Sequence, residues 1–327
     1  MIVNLPLVSV QKDGFGTMAK EISRSLVNNG HKVVSDYSLA VDSDIILNFS
    51  HPHQFRYSDR VPSIGYMPWE STAARDGWIK HLSMVDDVWV TSPWLSSVVA
   101  EWGFVDNYVY EHGINPAFTS PRPPREGLDK IRFLHMGMEA YRKAGFETIR
   151  SFRKAFGNRD DVELILKTKA TKMPLMPYTN VVVDDRELPF DQLIELYYSC
   201  DAFILPSYGE GFGLPARDAM STGMPVIHTA GFAPYEDMFH PDLIIPSTLT
   251  DTKEFTTNSE WALVHPGKQF KPDLDATIDI VRNFADNFDR YSLHARETAP
   301  LVNERYDWNK LTQGAVQRVQ SRFGIGL

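Results

Sequence analysis

Cysteine is nearly absent from this chain: Cys200 is the only one in 327 residues. An intrachain disulfide is therefore excluded, and a reducing compartment is expected. Cys200 ends an apolar helix pattern, LYYSCDAF, where an inert buried thiol is expected rather than a nucleophile. No basic block occurs, and the formal net charge is −9. Nucleic-acid binders usually carry such a block, so charge argues against a polynucleotide partner, although a local cleft can be basic on an acidic protein. No apolar run approaches the roughly 20 residues of a membrane helix, and the opening MIVNLPLVSV has no charged leader region. A soluble, cytoplasmic protein without a membrane span is expected. Internal repeats and low-complexity tracts are missing as well. So is a metal signature: Asp42-Ser43-Asp44 precedes its strand, Asp184 and Asp185 are adjacent in a turn, and His51 and His53 have no acid or cysteine at ligand spacing.

What is present is the composition of a globular protein, 43% hydrophobic and 23% charged, long enough for two domains. The most informative stretch is residues 205–231, LPSYGEGFGLPARDAMSTGMPVIHTAG. The apolar run Ala202 to Leu205 reads as a buried parallel strand cut by Pro206. Gly209, Gly211 and Gly213 then allow a sharp turn with exposed amides. Leu214 to Thr222 carries a helix pattern stopped by Gly223 and Pro225. A strand, a glycine turn and a helix N-terminus make an anion site. Two carboxylates, Glu210 and Asp218, lie in it. Because carboxylates repel phosphate, they are expected to face hydroxyls, Glu210 those of a sugar and Asp218 a ribose diol. A second such turn follows the strand Ile131 to Met136, where adjacent Arg142 and Lys143 at the start of a helix, Gly145 to Phe156, suit a diphosphate.

The string E-G-F-G-L-P, an acid at its eighth place and A-M-x-x-G-x-P-V-I together resemble the donor-site signature of the GT4-like glycosyltransferases of GT-B fold. That family usually has Glu where this chain has Asp218. Lys143 stands at the family's spacing from Gly137, and Met138 replaces the usual Arg. P-W-E-S-T and the Arg-Lys turn are similar to compact members in phages and prokaryotes. The resemblance implies an α/β protein of two Rossmann-like, doubly wound domains facing a central cleft. It implies transfer of a sugar from a nucleotide-diphosphate donor with retention of configuration, without a metal or other cofactor. Glu210, Lys143 and Arg142 would then serve the reaction, and Gly14, Gly16, Lys167, Gly211, Phe212, Gly213, Leu214 and Asp218 the donor. The acceptor, whether glycan, protein, lipid or modified nucleic acid, is not legible. Alternatives are an epimerase or phosphorylase of related fold, or an inactive nucleotide-sugar-binding module.

Along the chain, a first strand is expected over Ile2 to Val10. Asp13-Gly14-Phe15-Gly16-Thr17 forms a loop before a helix from Met18 to Asn29, and lacks the third glycine of the dehydrogenase fingerprint. Pro62 to Tyr66 runs into Met67-Pro68-Trp69-Glu70, and a strand end in an open α/β sheet is where ligands bind. Trp69 and Glu70 are therefore expected to line a cleft on the acceptor side. Residues 116–130, rich in proline and charge, read as the hinge between domains 1–120 and 130–302. Little pattern is visible from Asp242 to Asp275, which reads as an irregular insertion. The last helix, within 303–327, is expected to pack back on the first domain.

Overall fold

A computed structural model describes residues 1–7, 14–123, 129–137, 141–169, 179–255 and 259–325. It divides into two units, Met1–Gly113 with Thr252–Lys268 and Tyr306–Leu327, and Ile114–Asp251 with Gln269–Arg305.

The first unit opens with β1 (Ile2–Asn4), α1 (Gly14–Asn28), β2 (Lys32–Val34), β3 (Ile45–Phe49), β4 (Ser63–Met67), α2 (Trp78–Leu82), β5 (Asp87–Val90), α3 (Pro93–Glu101) and β6 (Asn107–Val109). Its six strands are ordered β2-β1-β3-β4-β5-β6 and pair in parallel. Every residue of β3, β4 and β5 is buried, as expected of a parallel sheet covered on both faces. The start of α3 is explained locally: Ser92 accepts from Leu95 N as its N-cap, and Pro93 takes a position whose N–H would have no helical partner.

The second unit holds β7 (Ile131–Met136), α4 (Gly145–Phe156), β8 (Val162–Lys167), β9 (Val181–Asp184), α5 (Phe190–Ser199), β10 (Ala202–Leu205), α6 (Leu214–Ser221), β11 (Val226–Thr229), β12 (Ile244–Ile245) and β13 (Ser247–Asp251). The chain then gives α7 (Thr252–Phe255) and α8 (Ser259–Val264) to the first unit. It returns through β14 (Lys268–Pro272), α9 (Leu274–Asp286) and α10 (Phe288–Arg305) to the second, and ends with α11 (Trp308–Phe323) in the first. The second sheet is also parallel, ordered β12-β11-β10-β7-β8-β9. Phe133, Phe152 and Phe284 are fully buried in a core that α4 and α9 close over one face. Each such side chain contributes roughly 1.5–3 kcal/mol of transfer free energy.

Within the first unit α11 lies on α1: Ser25 Oγ donates to Trp308 O at 3.0 Å and stands 2.6 Å from Thr312 Oγ1. Arg318 adds a fork to Asp87 at 2.8 and 2.9 Å.

Four expectations need correction. Within the first strand's expected span, the strand covers Ile2–Asn4, Leu5 N adds one last bond to Val34 O at 2.8 Å, residues 6 and 7 lie beyond it, and 8–10 lie outside the described residues. Gly14 and Gly16 belong to the first turn of α1, not to a loop before it, because Phe15 packs inward on Phe49 (5.4 Å) and His51 (4.9 Å). Trp69 lines no cleft. It is 1% exposed, sits 4.4 Å from Trp78, and its indole N–H goes to Ala73 O. Residues 242–275 are not irregular: they form β12 to β14 with α7 and α8, short pieces whose period is too brief to read. Their 252–268 portion groups with the first unit, although the sequence-based division had left it in the second.

Candidate functional site

Strand order in the second sheet reverses at β7. From β7 the chain builds outward through β8 and β9, then returns to place β10 on the other side. In open α/β sheets the crevice beyond such a switch point is where ligands bind. The turn after β7 carries Arg142 and Lys143, and the turn after β10 carries Glu210, so residues 67 apart in sequence meet there.

Backbone contacts fix the meeting. Tyr208 N donates to Arg142 O at 2.9 Å, and Arg142 Nη1 donates to Gly209 O at 2.6 Å. Gly137 follows β7 as glycine because a Cβ there would fall 2.6 Å from Lys143 Cβ; its absence lets the lysine stem lie against the strand end. Ala144 then enters α4 in the left-handed region, φ 57°, at a cost of roughly 1–2 kcal/mol for a residue with a Cβ. Glu210, 4% exposed, receives both cations: Oε1 stands 3.2 Å from Arg142 Nη1, at ion-pair distance without hydrogen-bond geometry, and Oε2 accepts from Lys143 Nζ. Burial works to raise the Glu210 carboxyl, but the adjacent Lys143 and Arg142 charges prevail and hold it down at about 2.

Gly213 caps α6 at φ 86°, and a Cβ there would lie 2.2 Å from Tyr235 Oη, which donates to Gly213 O at 2.6 Å. Glycine is required both by the backbone angle and by this close approach. The helix of eight residues that follows holds Asp218, whose Oδ1 takes Arg217 Nη2 at 2.5 Å. Burial raises the Asp218 carboxyl, against the pull of Arg217. Arg217, 1% exposed, also lies 5.5 Å over the Phe212 ring. Phe212 itself is 4% exposed, so it packs beneath the turn.

Lys167, at the end of β8, donates to the carbonyls of Asp184 (3.2 Å) and Arg186. Burial lowers its pKa. These bonds tie β8 to the turn after β9, while Lys167 O accepts from Gly137 N at 3.1 Å. Met138 lies outside the described residues. In the first unit, Glu70 Oε2 stands 3.8 Å from His265 Nδ1, and the His265 ring stacks 5.2 Å from Trp69. No group of three or more His, Cys, Asp or Glu among the described residues could hold a metal.

Sequence reading missed three residues. Arg217 is the partner of Asp218, and its sole sequence signal is adjacency. His135, in β7, lies 3.1 Å from both Ile204 O and Thr148 Oγ1. His228, at the end of β11, donates Nδ1–H to Thr229 O (2.9 Å), and its Nε2 makes no hydrogen bond among the described residues. Burial pushes both imidazoles down to about 4, with the Lys143 charge adding to the effect. Neither histidine had a motif.

Two all-parallel Rossmann-like domains, the second gathering cations and an acid at its switch point, define the GT-B class of glycosyltransferase fold. Solved structures agree. The chain matches a sucrose-phosphate synthase from Thermosynechococcus elongatus with a TM-score of 0.70 at 14% identity, covering 99% of each chain. It matches Anabaena HepE in complex with UDP and glucose with a TM-score of 0.70 at 12% identity, covering 98% of this chain and 100% of that one. Residues 186–249, a stretch that contains β10, the glycine turn and α6, match the family described as Glycosyl transferases group 1. Among curated proteins the chain is 39% identical over 71 residues to the O-antigen chain mannosyltransferase B of Escherichia coli, 22% of this chain and 17% of that protein. It is 28% identical over 129 residues to sulfoquinovosyl transferase SQD2 of Arabidopsis thaliana, 37% of this chain and 20% of that protein. An uncharacterized protein of Sulfolobus islandicus rod-shaped virus 1 is 25% identical over 122 residues, 37% of this chain and 33% of that one. The chain thus spans one third or less of the length of these curated relatives.

Proposed function

We propose that this protein transfers a sugar from a nucleoside-diphosphate sugar to an acceptor, with retention of configuration and without a divalent metal. The observation that carries the reading is the convergence of Arg142, Lys143 and Glu210 at the switch point, beside the N-terminus of α6. Lys143 and Arg142 meet the diphosphate, and the α6 dipole adds to their field, so the leaving group's charge is met by fixed donors. Glu210 orients the sugar hydroxyls. Asp218 reads the ribose through the oxygen that Arg217 does not hold, while Gly211, Phe212, Gly213 and Leu214 shape the turn around the phosphates. Lys167 acts behind this layer by fixing the β8 and β9 ends. Gly14 and Gly16, which would serve the donor, and Glu70, which would serve the acceptor, belong to the first unit.

Thermal shift with a panel of nucleotide-sugars tests the binding half of this reading, since a ligand specific to the folded state raises its melting temperature. HepE, crystallised with UDP and glucose, makes uridine donors the first to try. If no nucleotide-sugar or nucleoside diphosphate shifts the transition, the donor site is misassigned. Turnover should survive excess EDTA, and the product should keep the donor's anomeric configuration by NMR. Loss of activity in EDTA with recovery on adding magnesium or manganese refutes the metal-free mechanism.

A further inference from the structure

The proposed phosphate site contains its own anion. Glu210 faces two cations at once, 3.2 Å from Arg142 Nη1 and in contact with Lys143 Nζ. The cations are held by more than the acid. Arg142 is anchored through Gly209 O and through its own carbonyl to Tyr208 N, and the Lys143 stem rests against Gly137. Among the described residues the polar contacts of the Glu210 carboxylate, by contrast, are these two cations. A diphosphate arriving at Arg142 and Lys143 therefore meets a carboxylate already on its ligands. Two anions sharing a buried site repel strongly, because Coulomb energy rises as water is excluded. In the unliganded protein Glu210 is charged at neutral pH, because Lys143 and Arg142 hold it far below the usual carboxylate range despite its burial.

We propose that Glu210 is the resident counter-ion of the diphosphate site, and that a diphosphate displaces its carboxylate from Lys143 and Arg142, freeing it for the sugar hydroxyls. This rests on the donor-site reading above. It couples the two halves of the donor: the diphosphate must break an internal ion cluster, and the sugar re-satisfies the acid that is released. Intact donor should then bind more tightly than its diphosphate, although the diphosphate carries most of the charge.

The test is calorimetry with inorganic pyrophosphate and with UDP on wild type, Glu210→Gln and Glu210→Asp. Glu210→Gln keeps the shape and removes the competing charge, so pyrophosphate should bind roughly tenfold more tightly, the size of one charge-assisted contact. Glu210→Asp, which keeps the charge on a shorter stem, should fall between, and in both variants turnover should drop while diphosphate affinity rises. Unchanged or weaker pyrophosphate binding in Glu210→Gln overturns the counter-ion role and leaves the donor site standing. No binding of pyrophosphate or UDP to any of the three overturns both. Should the variants not fold, a wild-type crystal grown with pyrophosphate decides: the Lys143–Glu210 contact opened supports the proposal, and the contact intact beside bound pyrophosphate overturns it.

Discussion

Both sheets have a switch point, and the two are furnished differently. In the first unit order reverses between β1 and β3, where Phe15, Phe49 and His51 pack ring on ring at 4.9–5.4 Å. In the second it reverses between β7 and β10, where Arg142, Lys143 and Glu210 form an ion cluster. The same topology thus supports a packed aromatic layer in one place and concentrated charge in the other. Topology supplies a crevice; what the crevice can bind depends on the few residues that follow each strand.

Four expected outcomes break or sharpen this contrast. The largest concerns ligand affinity. Lys143→Ala should remove a charge-assisted contact, roughly 1.5–3 kcal/mol, and weaken nucleoside-diphosphate binding about tenfold or more. His51→Ala, at the other switch point, should lower the melting temperature without changing that affinity. Calorimetry showing equal losses for both erases the distinction.

Next is a backbone effect. Gly213→Ala must place a Cβ 2.2 Å from Tyr235 Oη at φ 86°, and should cost roughly 2 kcal/mol in stability as well as donor binding. Gly113→Ala, whose Cβ would meet the Trp308 ring at 2.4 Å, should cost comparable stability in the first unit and leave donor affinity alone. Denaturant melts paired with donor titrations separate the two.

Acid should then act on the second unit first. His135 and His228 are held near 4, below the roughly 6.5 of a free imidazole, so they stay neutral in the fold while the unfolded chain takes up protons. Their stabilisation is full above about pH 6.5 and is lost as pH falls towards 4. Glu210, held near 2, loses its contribution at lower pH still, as it protonates. All seven tryptophans lie in the first unit. Hydrogen-exchange protection factors at β7, β10 and β11 should therefore fall between pH 6.5 and 4 before tryptophan emission moves, and simultaneous change would contradict the assignment.

The smallest effect is at Asp218. Asp218→Ala should weaken nucleoside diphosphate and intact donor alike, by a few-fold, on the order of 1 kcal/mol. Arg217, which shares the carboxylate, loses its partner in the same variant, so Asp218→Asn is the cleaner comparison. A loss confined to the intact donor means that Asp218 does not read the ribose.

Much of this fold was legible because it is written in local pattern. Continuous apolar runs such as Ala202–Leu205 announced buried parallel strands, and Gly213 before Leu-Pro announced the start of α6. The Lys143 and Glu210 motifs were visible as types at a spacing. Trp69 was misjudged because a strand end beside Trp and Glu has the same sequence whether the indole turns outward or, as here, into Trp78. Residues 242–275 were misjudged because strands of two to five residues carry too little periodicity to separate from loop.

By itself, then, the chain's local order determined the strands, the glycine turns and which residue types bear charge at the ends of β7 and β10. Only the tertiary structure decided that Glu210 lies against Arg142 and Lys143, that Arg217 takes Asp218, and that His135 and His228 stay neutral. Period and capping act over a few residues, whereas burial and ion pairing depend on which distant strands become neighbours. That neighbourhood is set when β10 comes to lie beside β7, and no stretch of sequence contains it.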